Sequence, residues 1–430
     1  MNFHEESSAV APPAGPDRRT ASWSERRNKK ATVAPGQAAR LRAIATDRRR
    51  EVHPLRDAFR RLRSAASILP LLVLLALVTT RLAAAADFCV VNEAGAHIAL
   101  EIARTNGEPD YIKFRSGLLS LTDGLEYDTE AVDSDHELLY IGGGYNDDCT
   151  VRTDITMLDG HDQIMPLTVL LHGVDKVILE HISFYRSKTC ALCVHMQNEL
   201  AAVTVDSARF LNGTSDSVGG ALVASGFGYL RVRNSLFAGN ESVTGAAALV
   251  ALDGDAFFIN NTITRNATVV GDPMAFYAGP YGSGEEAHFS FTNNIIWGNT
   301  PDGSPVSDGY DLYLDDGGIY RLSANDIGAS RVPAAEAGGM PNLSVDPQLP
   351  ACFVICLDQR PSPNSPAVNA GDDMPDGVGA ALDIMGLPRK MGAHVDIGAY
   401  ELDEIFVDGF ESLALASISF DADVPLGRTP

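Results

Sequence analysis

Basic residues are scarce in this 430-residue chain: 33 Lys/Arg stand against 56 Asp/Glu, for a net charge of −23. The deficit is regional. Residues 1–86 hold 16 Lys/Arg against 7 Asp/Glu and residues 87–430 hold 17 against 49, so the first part is net +9 and the rest net −32. A body this acidic lacks the positive surface that a phosphate backbone requires, which excludes nucleic acid as a partner, and it is repelled by anionic lipid. Long uncharged runs are also missing, apart from one, and no heptad pattern is sustained. These absences exclude a polytopic membrane protein and a coiled coil. No Gly-x-Ser-x-Gly nucleophile motif occurs. Cys190-Ala-Leu-Cys193 has no second Cys-x-x-Cys and no His pair at ligand spacing, so it reads as structural rather than metal-binding or redox-active.

The single uncharged run explains itself by its flanks. Residues 1–63 are polar and Arg-rich with no apolar period, the composition of a disordered extension. After Arg63 come 17 uncharged residues, Ser64 to Thr80, centred on Leu71 to Val78, and then Ala83 to Ala86. A basic flank, a short apolar core and an Ala-x-Ala exit are the parts of a secretory signal peptide, with cleavage after Ala85 or Ala86. The run is short for a membrane anchor, so the mature form is expected to carry no span. The long basic lead suggests a true start near Val52 or Leu55. Cys89, Cys149, Cys190, Cys193, Cys352 and Cys356 all follow the cleavage region. An even count in an exported chain points to disulfides, whose connectivity spacing alone leaves open.

Beyond the signal the sequence repeats. Val205–Phe210, Val232–Phe237, Phe258–Ile263 and Phe291–Ile296 share one hexad, with Leu179–Phe184 before them and Leu322–Ile327 after. The last apolar residue falls at 184, 210, 237, 263, 296 and 327, in steps of 26, 27, 26, 33 and 31. Asn234 and Asn240, Asn260 and Asn266, and Asn293 and Asn299 keep one spacing. A second short strand recurs at Ala221–Val223, Ala248–Val250 and Ala275–Tyr277. A unit of this length with strands of four or five residues cannot bury its own apolar face, but it can when stacked on copies of itself. An antiparallel sandwich would also give short alternating strands, though not one hexad at near-constant period. The reading is therefore all-β: a right-handed parallel β-helix over residues 87–340, with an amphipathic capping helix at about 92–104 and an irregular C-terminal cap over 341–401. The Asn residues form ladders at its corners. The longer steps mark loops near 273–286 and 301–309, where function tends to sit.

Gly143-Gly144-Tyr145-Asn146-Asp147-Asp148-Cys149 and the Asn-bearing coils resemble exported bacterial β-helix proteins of pectate-lyase-like fold. Ser365-Pro366-Ala367-Val368-Asn369-Ala370-Gly371, Asp383-Ile384-Met385-Gly386-Leu387-Pro388-Arg389 and Asp396-Ile397-Gly398-Ala399-Tyr400-Glu401 resemble the choice-of-anchor Q type domain of such chains. Ile405 to Glu411, within a terminal motif and tail at 402–430, resembles their short terminal motif. Asn369 stands where the pattern expects an acid, and Leu413 to Pro430 trail the motif. The resemblance implies an extracytoplasmic protein without an assigned reaction. It also implies a Cys89–Cys149 pair, which leaves Cys190–Cys193 and Cys352–Cys356.

Chemistry on such a frame would need carboxylates converging on one groove, or an acidic Ca²⁺ cluster with a base beside it. Asp311, Asp315 and Asp316, with Asp253 and Asp255, are the acidic candidates, and Arg231, Arg233 and Arg265 the bases. In so acidic a body, solvated turns explain the acids better. His181, His195 and His394 are single histidines that read as packed or surface side chains. Asp383, Arg389, Asp396 and Glu401 read as ordering the cap. No catalytic residue and no metal ligand is assigned, and no cofactor is expected, Ca²⁺ being the alternative. Tyr277, Tyr281, Tyr310 and Tyr313, with Trp297 nearby, cluster at the inserted loops, where rings with a polar handle suit sugar faces. The leading expectation is a secreted or surface scaffold that binds polysaccharide or another cell-surface glycan. A lyase or hydrolase on the same fold and a purely structural exoprotein are the alternatives.

Overall fold

A computed structural model describes residues 85–129, 138–217, 219–242, 248–268, 274–282, 287–299, 310–333, 335–336, 339–352, 355–373 and 382–402. The expected extension at 1–63, the signal core and residues 403–430 lie outside the described residues.

The described body is a parallel β-solenoid of about eight turns. Each turn lays down strands on three faces. The first face starts with Ala86–Val90, Asp110–Arg115 and Leu139–Tyr145, and ends with His288–Thr292 and Ile319–Ser323. The second is an eight-stranded sheet from Gly117–Ser120 to Asp326–Ile327. The third runs from Leu125–Asp128 through Leu167–Leu171 and Leu192–Met196 to Tyr310–Leu314 and Ser330–Arg331. Every pairing between named strands is parallel, and apart from one register shift between Lys113 and Arg115 the register holds from turn to turn, as in Val203–Leu230–Ala256–Phe289–Tyr320.

The repeat in sequence becomes a column in space. Phe184, Phe210 and Phe237 point inward from the second face and stack, with ring centroids 5.1 and 4.5 Å apart. Between the first and second faces the chain turns on one left-handed residue: His181, Ser207, Asn234, Asn260, Asn293 or Ala324. Asn tolerates that backbone best after Gly, which explains its recurrence there. The corner Asn residues do not make the ladder expected of them. The residue after the corner turns inward, and it is Asn261, Asn294, Asn325 and Asn342 that join, each Nδ2 donating to the next Oδ1 at 2.9 Å. A second ladder runs Asn240–Asn266–Asn299 at 2.9 and 2.8 Å and ends on the Asp311 carboxylate at 2.8 Å.

The helix Glu93–Asn106 packs Ala96, Ala99, Leu100 and Ala103 over the open N-terminal end. Asn92 caps it by accepting from the Gly95 N–H, and Gly107 ends it in a left-handed conformation. Cys89 and Cys149, Cα atoms 5.6 Å apart, are disulfide-paired and tie the first strand to the loop after the third. Cys190–Cys193 and Cys352–Cys356 are paired likewise.

The C-terminal region does more than cap. Residues 339–345 close the last turn, with Leu343 N–H donating to Asn325 O and Met340 O accepting from Ala324 N–H. The chain then doubles back along the outside of the second face. There Cys356, Ile384, Ala399 and Tyr400 cover Leu211, Leu236 and Ala238, while Ala367 and Ile397 cover Ile295. An outward apolar column on a sheet needs such a cover.

Candidate functional site

On two turns the third face does not stop before the first. Leu222–Arg233 and Ala248–Ile259 run unbroken across the junction as twelve-residue strands. Gly226 and Gly228 make this continuity possible. Both hold positive φ, and a Cβ on Gly226 would lie 1.9 Å from Met196 O. Only glycine adopts that conformation without strain.

The alternation along Leu222–Arg233 sends Ser225, Phe227, Tyr229 and Arg231 outward. His195 is in direct register with Ser225 on the neighbouring strand, and its Nδ1 is 3.0 Å from Ser225 Oγ. The short loop after Met274–Gly279 then folds back over this surface. Asp253, buried, accepts from the N–H groups of Tyr281 and Gly282 at 2.9 and 3.1 Å and fixes the loop. Tyr281 thereby lies edge-on to Phe227, at 6.0 Å between centroids, and 6.1 Å from the His195 ring. Its side chain is 49% exposed. His195 and Ser225 thus share a hydrogen bond beside the Tyr281 ring. Further round the bend, the Arg231 guanidinium lies against the adjacent rings of Tyr229 and Phe257, at 5.3 and 5.9 Å.

The other candidate tyrosines form a separate group. Tyr277 and Tyr313 are in register on the third face and stack at 5.8 Å, with planes 16° apart. Arg331 lies 4.6 Å over Tyr313, and Tyr310 meets Tyr313 edge-on. Tyr277 Oη donates to Asp315 at 2.6 Å, and burial and that carboxylate push its phenol pKa up. Tyr277 and Tyr313 thus spend ring faces on each other, and Tyr313 also on the guanidinium. Tyr281, by contrast, is half exposed.

The acidic candidates are each engaged locally. Asp311 terminates the Asn ladder and also accepts from Ala329 N–H; burial raises its pKa. Asp315 and Asp316 meet Arg331, at 4.0 and 3.0 Å, and Asp255 stands 3.8 Å from His288. Arg233 pairs with Asp206 at 2.7 Å, and Arg265 donates to Pro350 O at 2.7 Å, holding the returning C-terminal chain. His181 is a corner residue whose pKa is lowered, chiefly by burial. His394 is exposed, 3.4 Å from Asp373. Trp297 packs partly buried against the Ile295–Ile397 cluster. Among the described residues, no group of three or more His, Cys, Asp or Glu could hold a metal ion. An apolar void of about 10 Å³ beneath the helix, lined by Leu100, Phe114 and Ile141, is at the lower limit for one water molecule.

Sequence reasoning missed Ser225 and Phe227. Their signal was the turn-to-turn register: aligning Leu192-Cys193-Val194-His195 with Leu222-Val223-Ala224-Ser225 puts the hydroxyl beside the imidazole. No protein-family model matches the chain, and a search of curated proteins returned no match.

Proposed function

We propose that this is an exported β-helix scaffold that binds glycan, without chemistry of its own, on the surface around Tyr281. The observation that carries the reading is the half-exposed ring of Tyr281, set against Phe227 beside the His195–Ser225 pair. An open aromatic face accepts the C–H face of a pyranose, and flanking donors and acceptors engage its hydroxyls. Export is supported by the signal-like segment ending near Ala86 and by three cysteine pairs at disulfide distance. The resemblance of residues 365–401 to choice-of-anchor domains supports a bacterial cell-surface or secreted setting.

A glycan array probed with the full chain, followed by titration of retained sugars, tests this. Tyr281→Ala is expected to weaken binding roughly tenfold, the worth of about one aromatic stacking contact. Tyr277→Phe, which removes only the hydroxyl bonded to Asp315, is expected to leave binding unchanged. Retention of no glycan, or equal binding by Tyr281→Ala, would overturn the proposal. So would turnover of polygalacturonate or alginate, with or without Ca²⁺, which would favour an enzyme.

A further inference from the structure

The segment that doubles back along the second face encloses a group of charges that do not balance. Asp383, Asp396 and Glu401 are each at most 1% exposed, and the one cation among them, Arg389, is 4% exposed. Arg389 does not spend its donors on the acids. Its Nη2 donates to the carbonyls of Asp396 and Gly398, at 2.8 and 2.5 Å. Its Nε is 3.9 Å from Glu401 Oε2, and neither Nε nor Nη1 has a hydrogen-bond partner. Three ionised carboxylates around one guanidinium would leave two uncompensated charges out of water, which is strongly unfavourable.

The three acids are not equally provided for. Asp383 accepts three backbone N–H groups, from Met385, Leu387 and Glu401, at 2.8–2.9 Å. Asp396 accepts from the N–H groups of Asn369 and Leu402, at 2.7 and 2.8 Å. Glu401 accepts only longer bonds, from Met391 and Asp396, at 3.3 and 3.1 Å. Donors to the charged form favour ionisation, so the proton belongs on the acid with the weakest set.

We propose that the returning segment is a proton-operated strap: it is closed on the second face with Glu401 protonated, and ionisation of Glu401 loosens it. Burial, and then the Asp396 charge, push the Glu401 pKa up to about 7. Burial raises the Asp383 pKa as well, against its three N–H donors. Within the strap, Asp373 is paired with Lys390 and near His394. On the side facing the solenoid, Arg209 donates to Ile384 O and Arg265 to Pro350 O, while Thr262 Oγ1 and Asn293 O accept from Ala399 and Gly398. At the end of the strap's approach, Asp326 accepts from Val345 N–H; burial raises its pKa to about 6, so it acts in the same direction. Among the described residues, no basic group on the solenoid side is bonded to Glu401.

The sign follows from the shift. Between the ordinary value of 4.5 and about 7 the closed strap binds more protons than the open one. Closure is therefore favoured below that window and weakened as pH rises through it, by about 300-fold in the opening equilibrium, and the dependence ends above it. Opening would expose Leu211, Leu236, Ala238 and Ile295.

Hydrogen exchange of the full chain between pH 4.5 and 8, corrected for intrinsic exchange rates, tests this. Peptides within 382–402 are expected to lose at least a hundredfold of protection between pH 4.5 and 7.5, while peptides of the coils keep theirs. Glu401→Gln is expected to stay protected throughout. Strap protection that ignores pH in the parent, or persists as pH-dependent in Glu401→Gln, would overturn the proposal. Should the variant fail to fold, infrared spectroscopy of the parent decides: a protonated-carboxyl band must be present at pH 5.5 and disappear with a midpoint near 7. Its absence refutes the proposal.

Discussion

Asn294 shows what one amide does in this fold. It is fully buried, and it accepts from Asn261 through both the backbone N–H and Nδ2, at 3.0 and 2.9 Å. It donates in turn to Phe258 O and Asn325 Oδ1, at 2.8 and 2.9 Å. Asn294→Ala would leave the backbone N–H and one Nδ2 hydrogen of Asn261 without an acceptor and cut off from water, while Asn325 Oδ1 keeps the backbone N–H of residue 294. A loss of about 2–4 kcal/mol is expected, since an orphaned buried polar group costs about 1–3 kcal/mol. Denaturant titration should show a lower midpoint at unchanged slope, and a shift equivalent to under about 0.5 kcal/mol would contradict this. The Asn-Asn pairs at 260–261 and 293–294 were visible in the sequence, but not which member of each turns inward. That is decided by the left-handed corner, whose own side chain is directed away from the ladder. The tyrosines pose the same problem. Only Tyr277, Tyr310 and Tyr313 of the expected cluster come together, and the mutual stacking of Tyr277 and Tyr313 depends on cross-strand register.

At the scale of elements, the hexad ending in Phe210 was legible because a stacked fold repeats the same inward position every turn. Phe210 lies between Phe184 and Phe237 and touches both. Phe210→Ala should destabilise by about 3–5 kcal/mol, because the rigid backbones on either side cannot close the gap, and Phe210→Leu by distinctly less. Thermal unfolding of the two variants checks the order, and equal melting points would contradict it. The helix was legible from its apolar period and its Asn-Gly end, to within two residues at its C-terminus. The continuous strands Leu222–Arg233 and Ala248–Ile259 were not. Nothing local reveals that Gly226, Gly228 and Gly254 carry an extended strand round a bend. The strap was legible only as a cap. It has no period, and its placement rests on contacts with Asn293, Thr262 and Arg209 far upstream.

For the described body as a whole, the account rests on turns that stack in parallel and in register. That arrangement brings His195 beside Ser225, seats Tyr281 over them, and gives the strap an apolar column to cover. The pairing of Cys89 with Cys149, which ties the N-terminal end, followed from resemblance and not from spacing. Lys176, Tyr229, Asp255, His288 and Ile319 lie along one outward column of the first face. The most direct measurement places spin labels at Lys176 and, in turn, at Asp255, His288 or Ile319, and reads the distance between them. With strands about 4.8 Å apart, the backbone separations should be about 14, about 19 and about 24 Å, rising by one equal step per turn. Distances that fail to rise in that order, or that change by unequal steps, would contradict the stacked solenoid and with it the site it builds.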